Sequence, residues 1–304
     1  MTTVSTSSFY ARSTRDIAGL RARAEDLQGD LARGERLTRS SQDPIAAARL
    51  RALSRADTLA AIDTANADRA ASDLQLVDDA LSGFTNAIAR VQELATQAAN
   101  GTLNASQRAA IGQELAQINA GLVSLANARD SAGHALFGGD STGQAYTLDA
   151  GGNAVYAGSA SAGSLDLGDG QRVARGVTGP EFLNFSAGGG ATDLFATIKG
   201  LSDALQGGAA DPAGAARTAL TALDTGLATV STAQTVVGAR LNFIDLATTR
   251  STQRGEARAI EQASVGGTDI AATVTRLQQT MTVLEASQAS FTRLSGLSLF
   301  DQLR

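Results

Sequence analysis

His134 is the only histidine in the chain, and there is no cysteine. A Ser-His-Asp relay needs an imidazole held between a hydroxyl and a carboxylate. "SAGHALFGG" (131–139) supplies the imidazole near a helix end, where a lone histidine more often serves structure than catalysis. With no thiolate and no second imidazole, a zinc centre finds too few ligands. The adjacent acids Asp78–Asp79 and Glu25–Asp26 fall on solvated helix faces, with nothing to make one a general acid and its neighbour a base. "GGDSTG" (138–143) and "LGDGQ" (167–171) are glycine turns with no following lysine, so neither is a phosphate-cradling loop. "DAGGNAVYAG" (149–158) lacks the acidic spacing of a calcium loop and fits a hairpin turn better. These residues imply no enzyme and no cofactor or metal.

Composition points the same way. Of 304 residues, 43% are apolar but only 4% aromatic, with no tryptophan. Alanine, leucine and threonine favour long packed helices over an aromatic-lined pocket. A net charge of −5 and a pI near 5.0 leave no basic footprint for nucleic acid. No apolar run is long enough to insert in a membrane. The start "MTTVSTSSFYARSTRD" has no apolar core of a secretion signal.

The elements that would position any site are read from the three prolines, Pro44, Pro180 and Pro212. Residues 138–190 hold 14 of the 32 glycines. Between the turn signals there stand Tyr146, Leu148, Val155, Tyr156, Leu165, Leu167 and Val173, the pattern of short strands. On either side the chain reads as helix. Ile17, Leu20, Ala24, Leu27 and Leu31 follow a 3-4-3-4 spacing. Asp43 and Pro44 start a helix of about 55 residues, with Leu53, Ala60, Ala67, Leu74, Leu81, Ile88 and Val91 on one seam. Asn104 and Gln107 have capping-box spacing before Ile111, Leu115, Ile118 and Leu122. The second arm mirrors the first: Leu194, Ile198, Leu201 and Leu205, then Leu223, Val230, Val237 and Ile244 after Pro212. Gly266 and Gly267 interrupt, and Thr268 can cap a last helix carrying Ile270, Val274, Leu277, Met281, Leu284 and Phe291.

The spacing predicts a mainly α fold, a long antiparallel coiled-coil bundle of N- and C-terminal arms with a small β-rich insert. Periodicity alone does not separate a coiled coil from an ordinary helical bundle. The first helix (about 4–37) and the last (about 269–298) match in length and can pair antiparallel. One apolar stripe each leaves that pair marginal by itself. Both ends are therefore expected to be mobile in the lone chain and helical once similar copies surround them.

Several stretches together resemble the flagellin superfamily, and within it the hook-filament junction proteins more than the flagellins. "GERLTRSSQDPIAAARLRALS" (34–54) carries the polar turn before "DPIAA" of that type. "NGTLNASQRAAIGQELAQI" (100–118) fits both groups. "ALFGGDSTGQAY" (135–146), "DLFATIKGLSDAL" (193–205), "VVGARLNFID" (236–245) and the ending "GLSLFDQL" (296–303) are of the junction type.

The resemblance implies a structural, extracellular part of the bacterial flagellum, exported by the type III route without a cleaved signal. It implies a ring of copies between hook-associated protein 1 and flagellin, and a cytoplasmic export chaperone. The alternative is a minor or full flagellin. Residues 1–42 with 266–304 would form the inner coiled-coil layer, 43–137 with 191–265 the helical layer next to it, and 138–190 the exposed insert. The assembly seam would use Ile17, Leu20, Leu27 and Leu31 facing Val274, Leu277, Met281, Leu284 and Phe291. Leu294, Leu297, Leu299 and Phe300 would meet neighbours and the chaperone.

Overall fold

The structure is a computed structural model describing residues 6–37, 39–130 and 132–301, with backbone alone for 6, 7 and 295–301. Seven α-helices and three short antiparallel hairpins are described. In chain order they are α1 (Thr6–Arg33), α2 (Pro44–Ala98), α3 (Ala105–Ala126), β1 (Tyr146–Leu148), β2 (Ala154–Tyr156), β3 (Ser164–Asp166), β4 (Arg172–Ala174), α4 (Gly179–Leu183), β5 (Asn184–Ala187), β6 (Gly190–Asp193), α5 (Leu194–Asp203), α6 (Pro212–Gly266) and α7 (Ile270–Asp301). The fold is the mainly helical one that the heptads predict, with small antiparallel strands inserted between the arms. The chain divides into two compact units, Met1–Thr58 with Arg254–Arg304, and Leu59–Gln253.

Helix ends follow local chemistry. The Asp43 carboxylate accepts the Ala46 N–H at 3.0 Å, which closes the first turn of α2 where Pro44 needs no donor. Asn104 and Gln107 exchange side-chain bonds in a full capping box, at 2.8 and 3.0 Å. At the start of α7 the expected cap is displaced by one residue. Asp269 accepts the Ala272 N–H at 3.0 Å, while the Thr268 hydroxyl donates to Asp30 O at 3.3 Å. A carboxylate is the stronger acceptor here, and Thr268 is drawn into the turn that joins α1 to α7.

The larger unit holds the main core. Leu74, Leu81, Phe84, Ile88 and Val91 of α2 are buried with Leu115 and Leu122 of α3, Ile198 of α5, and Leu223, Val230 and Val237 of α6. Phe137 and Phe182 belong to that same core, and their rings meet Phe84 edge-on at centroid distances of 6.1 and 5.2 Å.

Polar side chains tie the glycine-rich insert down. Asn127 pairs through its amide with both backbone groups of Tyr146, each at 2.9 Å. Arg175 reaches Asp73 at 3.1 Å, the Arg240 guanidinium donates to Gly176 O at 2.6 Å, and Asn66 donates to Asp166 O at 3.2 Å. After α5 the chain makes a π-turn at Ala204–Gly208, which Gly207 permits with φ 110.

In the smaller unit, the start of α2 and the end of α6 meet through polar groups. Asp57 is bound on both oxygens, by Arg258 Nε at 2.6 Å and Gln262 Nε2 at 2.5 Å. Arg49 Nε donates to Glu261 at 2.6 Å. The Arg258 and then the Gln262 hydrogen bonds hold the Asp57 carboxyl below the usual carboxylate range.

Two outcomes are expected in the core. Phe84→Ala removes a fully buried ring and should cost about 3–5 kcal/mol in urea unfolding. Tyr146→Phe should be nearly neutral, because the buried hydroxyl has no partner to lose. At Asp57 the sign follows from the lowered carboxyl. Its contribution is present above the unfolded value of about 3.9 and is lost as pH falls through the folded one. With a fluorophore at exposed position 260, Asp57→Asn should therefore melt below the parent chain at pH 6, and the gap should narrow as pH falls below the unfolded carboxylate value of about 3.9.

Candidate assembly interface

Within the smaller unit, α1 and α7 pack as an antiparallel pair. Tyr10 meets Phe291 edge-on at 5.6 Å at one end of the pair. At the other, Glu35 and Gly267 form a two-residue bridge, Arg36 N donates to Gly266 O at 2.9 Å, and Thr268 N donates to Gly34 O at 3.0 Å. Glycine is required at that join. Gly34 has φ 71, and a Cβ on Gly267 would lie 2.3 Å from Ala263 O.

The inward face of α1 is Tyr10, Ser13, Ile17, Leu20, Ala24, Leu27 and Leu31, an unbroken 3-4 repeat of buried or half-buried residues. On α7 the matching repeat is Thr273, Leu277, Thr280, Leu284, Ser287 and Phe291. The structure thus places Ile17, Leu20, Leu27 and Leu31 on the helix that packs against the one bearing Leu277, Leu284 and Phe291.

Val274 and Met281 are a correction. They do not face α1 but stand 37% and 42% exposed, and the positions opposite α1 are taken by Thr273 and Thr280. Counting the largest apolar residues misled, because the register chosen by the Gly266–Gly267 join turns smaller threonines inward. Val274 and Met281 form, with Ile270 at 65% exposure, a second apolar stripe beside the first. Leu294 is also exposed, at 47%. The side chains of Leu297, Leu299 and Phe300 lie outside the described residues.

Asp130, His134 and Asp149 have structural duties. Asp130 Oδ1 accepts the N–H groups of Ala132 and His134 at 2.9 and 2.8 Å, and Oδ2 lies 3.4 Å from His134 Nδ1. Burial pushes the Asp130 carboxyl up, but the backbone N–H bonds of His134 and Ala132, with the imidazole, outweigh it and hold it low. Asp149 closes the β1–β2 turn by accepting from Gly151 N and Asn153 N, each at 2.8 Å. Among the described residues no group of three or more His, Asp or Glu could hold a metal ion. None of their helices is long and apolar enough to cross a membrane.

Comparison with known proteins places this architecture. Residues 4–142 match the bacterial flagellin N-terminal helical region. Flagellar hook-associated protein 3 of Escherichia coli K12 is 28% identical, covering 97% of this chain and 98% of its own length. The protein of the same name from Salmonella typhimurium LT2 is 25% identical over 98% of both. A flagellar hook-associated protein from Vibrio parahaemolyticus shares the fold, with a TM-score of 0.69 and 23% identity over 74% of this chain and all of that one. Hook-associated protein-3 of Legionella pneumophila does so at 0.63 and 16% identity, over 75% and 99%. The chain is thus similar nearly end to end to flagellar hook-associated protein 3, a structural component of the bacterial flagellum rather than an enzyme, and over residues 4–142 it matches the flagellin N-terminal helical region.

Proposed function

We propose that the chain is a hook-filament junction protein, a ring of copies linking hook-associated protein 1 to the flagellin filament. The observation that carries this reading is the double face of α7. One apolar stripe is filled by α1, while Ile270, Val274 and Met281 stand open to solvent. A helix with two adjacent apolar stripes is built for a second partner, and neighbouring copies supply one at no cost in specificity.

In this reading residues 1–42 and 266–304 form the inner layer, 43–137 and 191–265 the layer around it, and 138–190 the outer surface. The chain travels unfolded through the type III channel, with a cytoplasmic chaperone on the C-terminal segment. Leu294, Leu297, Leu299 and Phe300 first meet that chaperone and afterwards the neighbouring copies.

Immunogold labelling of isolated flagella separates this reading from its rival. A single band at the distal end of the hook is expected, and labelling along the filament would make the chain a flagellin instead. Met281→Glu should leave the melting of the monomer unchanged, because the side chain is exposed, yet block incorporation into flagella. Incorporation at the parental level would remove α7's open stripe from the interface. Deleting 294–304 should abolish both chaperone binding and assembly; a truncated chain that kept both would contradict the role given to that segment.

A further inference from the structure

One stripe on the outward face of α6 is free of charge over a long stretch, with Asp224 and Asp245 exposed beside it. Thr218, Thr221, Thr225, Ala228, Thr232, Val236, Ala239, Phe243 and Leu246 are all exposed and lie on one stripe of the helix. From Thr218 to Leu246 the stripe runs about 42 Å at 1.5 Å per residue. Three of its four threonines make no polar demand on a partner. Thr218, Thr225 and Thr232 donate their hydroxyls to carbonyls of their own helix, to Gly214, Thr221 and Ala228 at 3.1, 3.1 and 2.8 Å. Their methyl groups are left to make contacts. A charge buried on the stripe itself would lose hydration with no counter-charge among the stripe's own residues, so the occupant is itself an uncharged helix stripe.

The stripe is its own complement. Its spacing, 3-4-3-4-4-3-4-3, reads the same from either end about Thr232. An antiparallel copy therefore sets Leu246 opposite Thr218, Phe243 opposite Thr221, Ala239 opposite Thr225, Val236 opposite Ala228, and Thr232 on Thr232. Every large side chain meets a small one, which interdigitated packing requires. The surface is hollowed where the large ones would arrive. Thr218 and Thr221 line a groove of about 680 Å³, shared with Thr197 and Leu201. Ala228 lines a second of about 340 Å³, shared with Val177. Each groove also carries one charged residue, Arg217 and Glu181 respectively.

We infer that α6 is a homotypic docking surface, pairing antiparallel with α6 of a second copy about a two-fold axis at Thr232. Taking a contact strip about 10 Å wide, each copy contributes on the order of 400 Å², about half of a standard interface. The pair is therefore weak and concentration-dependent. It holds whether or not the chain sits at the end of the hook, because it draws only on α6 and its flanking grooves.

The absence of cysteine makes the test clean. Full-length Thr232→Cys should form a disulfide-linked dimer under mild oxidation, because the two-fold axis brings the residue onto itself. Thr225→Cys should link at least about tenfold more slowly, since its copy lies 14 residues away along the helix, or about 21 Å. The double variant Thr225→Cys/Ala239→Cys should restore rapid linking. Adding Phe243→Glu to Thr232→Cys should abolish it while leaving the circular dichroism unchanged. Equal rates for Thr232→Cys and Thr225→Cys, no dimer from Thr232→Cys, or linking insensitive to Phe243→Glu would each overturn the pairing.

Discussion

One narrow seam holds the two ends of the chain together. The α1 side offers one tyrosine, a serine, an alanine and four aliphatic residues; the α7 side offers two leucines, a phenylalanine and three hydroxyl residues. Of all these only Ala24 and Thr273 are buried, the rest remaining half-open to water. The larger unit is built differently, with Phe84, Phe137 and Phe182 wholly enclosed and strands, turns and helices sharing a single core. Burial is what offsets the entropy of ordering a helix. The same chemistry thus encloses the core of one unit and leaves the seam of the other half-open.

The join at Gly34 and Gly266–Gly267 gives that seam a direction. Two backbone hydrogen bonds and the Thr268 hydroxyl fasten α1 to α7 there, next to the Asp269 cap that starts α7. Near the other end Tyr10 meets Phe291 edge-on. Order that propagates from a fixed end suits the assembly proposed above, in which copies order the terminal helices. Under that proposal, the open stripe of Ile270, Val274 and Met281 is where such copies add burial.

Much of this was legible in the sequence because helices announce themselves through local chemistry. The start of α2 at Asp43–Pro44, the capping box at Asn104, and the core seam from Leu74 to Val91 rest on residues three or four apart. The turn closed by Asp149 is equally local. What escaped was long-range or depended on register. Asn127, Arg175 and Arg240 anchor the insert across tens of residues, and no spacing rule points from Arg175 to Asp73. Thr273 and Thr280 sit in the seam instead of Val274 and Met281 because the glycine join rotates α7. Periodicity finds a stripe; it does not say which of two adjacent stripes faces the partner. The resemblance to flagellar proteins was carried by whole stretches such as "ALFGGDSTGQAY", and it holds because those stretches lie at the helix ends and turns that set the fold.

Amide hydrogen exchange on the full chain, compared between dilute monomer and assembled material, tests the central claim most directly. The account predicts rapid exchange for residues 8–31 and 270–294 in the monomer, against slow exchange for 74–91. Protection of the terminal helices should appear only on assembly. Terminal helices as protected as 74–91 in the dilute monomer would contradict it.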